Sequence, residues 1–150
     1  MIIAATGHRS EKAEEESIVR CKLRTALRYS GADTFICGMA NGVDLWAGHE
    51  ALLLGIEVWA AKPWAGHKPR KDDAELYATI IEGASRVINV NDADKYPGPW
   101  VYQKRNEWMV DNATHILAYW DGVESGGTWN CIKYARGKRP IRNIYWAAPF

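Results

Sequence analysis

The sequence has few of the features that define specialised classes of protein. Its cysteines, Cys21, Cys37 and Cys131, are an odd set without CxxC spacing, which argues against a disulfide framework and indicates reduced thiols. No apolar run approaches the roughly 18 residues of a membrane span. The apolar start, Met1 to Thr6, is too short for a signal peptide and lacks its basic residues. We therefore expect a cytoplasmic protein with no membrane partner.

An excess of charge of one sign is also lacking, because 19 basic residues face 18 acidic ones and the formal net charge is +1. Bulk nucleic-acid binding needs many cations to neutralise phosphates, so this balance argues against a nucleic-acid partner. The histidines show no metal-ligand spacing, and we expect no metal site. No Gly-x-Ser-x-Gly elbow or Cys–His pair points to nucleophilic catalysis.

What the chain does have is an alternation of apolar runs and amphipathic patterns along its 150 residues, a length that suits one domain. Strands are predicted at 2–6, 34–37, 56–60, 86–90, 115–120 and 141–146. Between them, a first helix is predicted to begin at a Ser10 N-cap, and further helices span 43–54, 73–82, 101–113 and 128–136. Strands separated by helices imply an α/β fold with a mostly parallel sheet of about six strands and helices on both faces.

Two glycine-rich turns each follow an apolar strand and open a helix: Gly38-Met-Ala-Asn-Gly42-Val-Asp44 and Ser125-Gly-Gly-Thr128. A helix start presents free backbone N–H groups that attract anions, and glycine lets a phosphate approach closely. The turns therefore predict a site for a phosphorylated ligand such as a nucleotide, with Asp44 accepting a ribose hydroxyl. A purely structural interpretation is also open: Asn41 as N-cap in a capping box with Asp44, and an ordinary capped turn at Ser125.

Segments that follow the carboxyl ends of the strands meet at one edge of a parallel sheet, where such sheets bind ligands. The segments in question are 6–9, 38–44, 62–71 and 121–128. In the first of them, Gly7 allows a ligand to approach and Arg9 is suited to a phosphate. His8 either bonds the ligand, as a hydrogen-bonding or acid–base group, or is structural.

Arg105 is the most informative single charge, since it lies on the apolar stripe of the helix 101–113. A buried cation needs a partner. That partner is either the phosphate of the ligand or a carboxylate, from Asp44, Asp111 or Asp121.

Two further clusters have open interpretations. The loop 62–71 mixes cations with an aromatic residue, and it either closes over an anionic ligand or is solvated. Tryptophan is abundant, with eight copies. Four of these residues form either a base-stacking slot or core and interface contacts: Trp64, Trp100, Trp120 and Trp129.

Five motifs occur in order along nearly the whole chain. They are Thr6-Gly-His-Arg9, Gly38-Met-Ala-Asn-Gly-Val-Asp-Leu-Trp46, Arg105-Asn-Glu-Trp-Met-Val-Asp111, Tyr119-Trp-Asp-Gly122 and Ser125-Gly-Gly-Thr128. Together they resemble the SLOG superfamily, most closely its YpsA-like branch. The resemblance implies a single Rossmann-like domain over 1–150 that binds nucleotides or their derivatives, including ADP-ribose types. It also implies a homodimer or higher homo-oligomer.

Relatives in the superfamily leave two further functions open. The LOG enzymes cleave the N-glycosidic bond of nucleoside monophosphates and carry Pro-Gly-Gly-x-Gly-Thr-x-x-Glu, but here Cys131 occupies the position of the glutamate. Asp44, Glu107, Asp121 or Glu124 would have to supply the carboxylate that glycosidic cleavage requires. DprA binds single-stranded DNA, against which the near-neutral charge argues here.

We therefore expect a small phosphorylated ligand, a nucleotide or an NAD or ADP-ribose derivative, in a sensing, sequestering or regulatory role. The alternatives are a LOG-like nucleotide N-glycosidase and a single-stranded DNA-binding module, and the sequence leaves turnover open. The residues predicted to form the ligand site are Gly7, His8, Arg9, Gly38, Met39, Asn41, Gly42, Asp44, Trp64, Arg105, Asp121, Ser125, Gly126, Gly127 and Thr128.

Overall fold

The computed structural model describes residues 1–148, which form a six-stranded sheet with five α-helices. The strands are β1 (Ile2–Gly7), β2 (Thr34–Cys37), β3 (Glu57–Lys62), β4 (Arg86–Asn89), β5 (His115–Tyr119) and β6 (Ile141–Asn143). The helices are α1 (Glu16–Arg28), α2 (Val43–Leu53), α3 (Ala74–Gly83), α4 (Trp100–Asn112) and α5 (Gly126–Ala135). Short 3₁₀ turns at Ser10–Lys12 and Lys71–Asp73 precede α1 and α3.

All strand pairs are parallel, and the strand order is β4-β3-β2-β1-β5-β6. Strand β2 is buried along its whole length because helices cover both faces of the sheet, while the edge strand β4 is largely exposed. The chain moves outward from β1 through β2 to β4 and then returns to the other side of β1 at β5. This change of direction opens a crevice between the carboxyl ends of β1 and β5. The predicted α/β, Rossmann-like fold class is confirmed.

The helices pack in two layers. Helices α1, α2 and α3 cover one face of the sheet, where the stripe of Val19, Leu23 and Leu27 on α1 enters the larger core. Helices α4 and α5 pack against each other on the opposite face, with Met109 and Cys131 in the second core. Within residues 1–148, no helix combines the length and the apolar character that crossing a membrane requires.

The predicted start of the first helix is wrong. Helix α1 begins at Glu16, and its N-cap makes no side-chain hydrogen bond. Ser10 lies six residues earlier in a 3₁₀ turn, where its backbone N–H and its hydroxyl both donate to Oδ1 of Asn41, at 3.0 and 2.8 Å. A contact between distant loops therefore uses the group that was expected to cap the helix.

Several other boundaries differ from the prediction by one to three residues, and two of them bear on the site or its loops. Helix α5 begins at Gly126, two residues before the predicted Thr128, and it has Ser125 as N-cap. Strand β6 ends at Asn143, because the Asn143 side chain bonds the backbone of Trp120 through both its oxygen and its nitrogen. Its Oδ1 also accepts from the N–H of Tyr145, which turns the chain away from the sheet.

Candidate functional site

A cavity of about 450 Å³ opens at the crevice between the carboxyl ends of β1 and β5. Its walls come from the segment after β1, one face of α4, the loop after β5 and the first turn of α5. This volume lies in the range typical of small-molecule sites. Predicted ligand residues that line it are Gly7, His8, Arg9, Asp44, Arg105, Asp121, Ser125, Gly126, Gly127 and Thr128.

The first turn of α5 faces this cavity with backbone donors that lack a protein acceptor. Within residues 1–148, the N–H groups of Gly126, Gly127 and Thr128 form no hydrogen bond, and the N-cap Ser125 makes no side-chain capping bond. Gly126 has φ = 91°, and a Cβ added at either glycine would meet no protein atom within 4 Å. The glycines therefore leave open space in front of the N–H groups, at the end of the helix that attracts anions.

Arg105 reaches the cavity from α4, although its side chain is only 5% exposed. Its Nη1 donates to the carbonyl oxygen of Gly38 at 2.5 Å, and its Nε donates to Oδ1 of Asn106 at 3.2 Å. Within the described chain it forms no ion pair, so none of the three predicted carboxylates is its partner. Two anchored nitrogens fix the guanidinium, and Nη2 forms no hydrogen bond within residues 1–148.

Asp44 lines the cavity from the first turn of α2 and is 7% exposed. Burial raises the pKa of its carboxyl group. The positive charge of Arg105 and the N–H of Ala40, which donates to Oδ2 at 3.3 Å, act in the opposite direction. A buried carboxyl group of this kind accepts hydrogen bonds when ionised and also donates one when protonated. It is therefore chemically suited to a hydroxyl-bearing ligand.

His8 ties the end of β1 to the loop after β5. Its Nε2 accepts a hydrogen bond from the backbone N–H of Asp121 at 3.0 Å, which requires this nitrogen to be unprotonated. The Asp121 carboxylate lies 3.3 Å from the same nitrogen, but an ion pair there would break the shorter backbone bond. The ring is buried edge-on against Tyr119 and Tyr145. His8 thus lines the cavity and also has a structural role.

Exposed charged side chains surround the mouth of the cavity. Arg9, Lys12 and Arg70 line it together with Glu11. The Arg70 guanidinium pairs with the Glu11 carboxylate and holds the pKa of Glu11 below its ordinary value. This ion pair connects the loop after β1 with the loop after β3. From the predicted cationic loop 62–71, it is Arg70 that contributes to the cavity wall.

The glycines of the first glycine-rich turn lie behind the cavity wall. A Cβ at Gly38 would lie 2.6 Å from Oδ2 of Asp44, and a Cβ at Gly42 would lie 2.6 Å from the backbone nitrogen of Ser10. Met39 is buried and has φ = 67°. Neither these glycines nor Met39 are among the residues that line the cavity. They give Asp44 and the segment after β1 the room to pack closely.

The capping box predicted for Asn41 and Asp44 is wrong. The N-cap of α2 is Gly42, with φ = 87° and no side-chain capping bond. Asn41 instead bonds Ser10 through Oδ1 and donates from Nδ2 to Oδ2 of Asp73 at 2.9 Å. Its side chain links three loops and, like the glycines, lies outside the cavity wall.

The four tryptophans, for which a base-stacking slot and core or interface contacts were both open, do not come together in one slot. All four lie outside the cavity wall: Trp64, Trp100, Trp120 and Trp129. Trp120 and Trp129 stack on each other, with ring centres 5.4 Å apart, and the guanidinium of Arg136 lies 4.9 Å from the Trp129 ring. Trp64 packs against Tyr96 and Tyr102 after β3 and β4. Trp100 is exposed at the start of α4.

Two cavity residues on α4 were missed by the sequence prediction. Tyr102 and Asn106 line the cavity on either side of Arg105. The three residues occupy positions i, i+3 and i+4 of the helix and therefore share one face. This spacing from the buried cation was visible in the sequence and would have identified both. Lys12 carried no such signal, because it reaches the cavity from a short 3₁₀ turn, whereas Arg70 belongs to the cationic loop 62–71 that the sequence analysis places at this edge.

No family model matches the chain. It is 40% identical over 74 residues to the SPβ prophage-derived protein YoqJ of Bacillus subtilis strain 168, and the alignment covers 43% of each protein. It is 23% identical over 128 residues to the UPF0398 protein of Bacillus thuringiensis strain Al Hakam, covering 81% of this chain and 69% of the relative. The match thus spans less than half the length of YoqJ.

Solved structures share the fold at low sequence identity. DNA processing protein A (DprA) of Streptococcus pneumoniae has a TM-score of 0.72 and 18% identity, over 93% of this chain and 48% of that protein. DprA of Helicobacter pylori, which binds single-stranded DNA, has a TM-score of 0.73 and 17% identity, over 94% of this chain and 63% of that protein. The molybdenum cofactor binding protein of Rippkaea orientalis has a TM-score of 0.62 and 17% identity, over 93% of this chain and 73% of that protein. Two of these three neighbours bind a ligand, single-stranded DNA in one case and the molybdenum cofactor in the other.

Proposed function

We propose that this chain, which belongs to the SLOG superfamily in its YpsA-like branch, binds a nucleotide or a nucleotide-derived ligand of the NAD or ADP-ribose type. In this proposal the ligand is sensed, sequestered or used in regulation. The protein acts as a homodimer or a higher homo-oligomer, which light scattering in solution tests directly.

The observation that carries the proposal is a buried cation and an uncapped helix end that share one cavity. Arg105 offers Nη2, and the first turn of α5 offers the N–H groups of Gly126, Gly127 and Thr128. A phosphate group satisfies both, because it supplies several acceptor oxygens and a negative charge for the guanidinium and the helix dipole. A neutral ligand would leave the buried guanidinium of Arg105 without an ion-pair partner among residues 1–148.

The remaining walls suit the sugar of a nucleotide. The carboxyl group of Asp44 lines the same cavity and offers hydrogen bonds to ribose hydroxyls. Asp121 provides a second carboxylate from the loop after β5. Arg105 is suited to phosphate and Asp44 to ribose, and both residues line one cavity. This combination supports a nucleotide rather than inorganic phosphate as the ligand.

Calorimetric titration of the purified protein with adenosine 5′-monophosphate, NAD and ADP-ribose tests the proposal. Arg105→Ala should weaken binding strongly, whereas Arg136→Ala, which removes a cation beside Trp129, serves as the control. Chromatography of material released from the denatured complex should recover the ligand intact. Failure of every probe to bind, or equal binding by Arg105→Ala and wild type, would overturn the proposal.

A nucleotide N-glycosidase is a second candidate, favoured by the buried carboxyl group of Asp44 in the cavity. Cys131 is buried outside the cavity wall, and burial raises the pKa of its thiol to about 11, so it does not replace the LOG glutamate. Of the other carboxylates considered, Asp121 lines the cavity, whereas Glu107 and Glu124 do not. Release of free base in the same chromatographic assay, abolished by Asp44→Asn, would favour this enzyme over a binding protein.

A single-stranded DNA-binding module is a third candidate, favoured by the fold that the chain shares with DprA. The cations Arg9, Lys12 and Arg70 at the cavity mouth would contact the phosphate backbone. Fluorescence anisotropy with a labelled oligothymidylate, measured over a range of salt concentrations, distinguishes it. Binding that falls steeply with salt and that mononucleotides do not compete would favour DNA.

A further inference from the structure

Tyr102 places an aromatic ring beside the cation of the cavity. It lies on α4 three positions before Arg105, so the two side chains are neighbours on the helix surface. Both line the cavity, and the guanidinium carbon of Arg105 lies 5.9 Å from the centre of the Tyr102 ring. The cavity wall therefore contains an aromatic residue next to the group proposed to hold phosphate.

Aromatic neighbours outside the cavity wall hold this ring in place. The ring of Trp64 lies 5.9 Å from that of Tyr102 at an angle of 78°, and the ring of Tyr96 lies 6.3 Å away. Trp64 also packs against His67, whose pKa is lowered to about 4 by burial, so this imidazole is neutral near pH 7. A ring fixed by its neighbours loses little side-chain entropy when a ligand stacks on it.

We infer that Tyr102 stacks on the base of the ligand, so that the cavity selects nucleotides over phosphorylated sugars that lack a base. The inference rests on the proposed function and names the chemistry at the other end of the ligand. A nucleotide carries its base and its 5′-phosphate on the two sides of one ribose, and an aromatic ring beside a cation matches that arrangement. The stacking contact first predicted for tryptophans is thereby assigned to a tyrosine.

Two probes that differ by the base at C1′ of the sugar test this inference: adenosine 5′-monophosphate and ribose 5-phosphate. Calorimetric titrations compare wild type with Tyr102→Ala and with the conservative variant Tyr102→Phe. Tyr134→Ala is the matched control, because Tyr134 lies on α5 outside the cavity wall and bonds Asp111 through its hydroxyl. Thermal unfolding of each variant verifies that it is folded.

We expect wild type to prefer adenosine 5′-monophosphate, and Tyr102→Ala to reduce that preference by roughly 5- to 150-fold, the range for stacking of one base on an aromatic side chain. Tyr102→Phe should restore the preference, and Tyr134→Ala should retain it. Equal losses for both probes in Tyr102→Ala, or no preference in wild type, would overturn the assignment while the proposed function stands. A wild-type protein that binds neither of these probes and also fails to bind NAD and ADP-ribose would instead refute the proposed function itself.

Discussion

The substitution Gly127→Ala separates two reasons for a glycine at a helix start: a backbone requirement and space for a ligand. Gly127 is not among the glycines with positive φ, and an added Cβ would meet no protein atom within 4 Å. The fold therefore accepts alanine at this position. Because alanine lowers the entropy of the unfolded chain, we expect a gain of about 0.5–1 kcal/mol in the free energy of unfolding. For a domain of this size that gain raises Tm by about 1–4 °C.

The same methyl group should weaken ligand binding. A helical Cβ tilts toward the N-terminus of its helix, where the cavity lies. It would occupy the open space in front of the free N–H groups and displace a phosphate oxygen from them. A hydrogen bond to a charged group contributes about 1.5–3 kcal/mol, so the loss of one raises Kd by about 10- to 150-fold.

Thermal unfolding without ligand and calorimetric titration with ligand measure the two effects on the same sample. Gly48→Ala is the opposite control, because its Cβ would lie 2.9 Å from Sγ of Cys37 in the core. That variant should lose stability and retain its affinity. Wild-type affinity in Gly127→Ala would refute the role of α5 in phosphate binding, and a lowered Tm would refute the open space at Gly127.

The remaining predictions concern the buried cation, a neutral histidine and a close contact of β1. Arg105→Ala should weaken ligand binding by about 10- to 150-fold in a titration, because it removes a charge-assisted hydrogen bond. An equal loss in the control Arg136→Ala would contradict this. Between pH 6.5 and 4 the folded state should lose stability, because burial lowers the pKa of His67 to about 4 and the unfolded chain takes up the proton first. In denaturant unfolding, His67→Gln should remove about 3 kcal/mol of this decrease in the free energy of unfolding. A variant with the pH dependence of wild type would refute His67 as its source. Gly7→Ala should destabilise the protein by about 1–3 kcal/mol, because the Cβ would lie 2.5 Å from Cγ1 of Val43. Val43→Ala should rescue part of this loss in the double variant, whereas strict additivity would contradict a steric cause.

The fold class could be predicted because a parallel sheet covered on both faces imposes a simple pattern on the sequence. Strand β2 is buried throughout, and it is apolar after its first residue, Thr34. Helix boundaries depend on more distant contacts. Ser10 is a good N-cap by local preference, but its hydroxyl bonds Asn41, 31 positions away, and α1 begins at Glu16. Local capping preferences contribute too little to outweigh such contacts between loops.

The residues proposed to hold phosphate lie together as the sequence predicts, whereas the tryptophans considered for the base do not. Parallel strands bring their carboxyl ends to one edge, so Gly126, Gly127 and Asp121 converge with the segment after β1 without detailed knowledge of packing. The position of an aromatic side chain depends on which helix face meets the cavity. That face is set by the packing of α4 against α5, and it brings in Tyr102 while Trp120 and Trp129 stack outside the wall.

The two glycine-rich turns look equivalent in the sequence, yet they have different parts in the proposed anion site. The turn before α5 leaves its own N–H groups free in the cavity. The turn before α2 acts through a side chain, because the carbonyl oxygen of Gly38 accepts from Nη1 of Arg105 and fixes the guanidinium. A Cβ at Gly38 would lie 3.3 Å from Nε of Arg105 and 2.6 Å from Oδ2 of Asp44. The glycine is therefore required where the cation and the carboxyl group both approach the backbone, and its carbonyl oxygen orients the charge that the proposed ligand would meet.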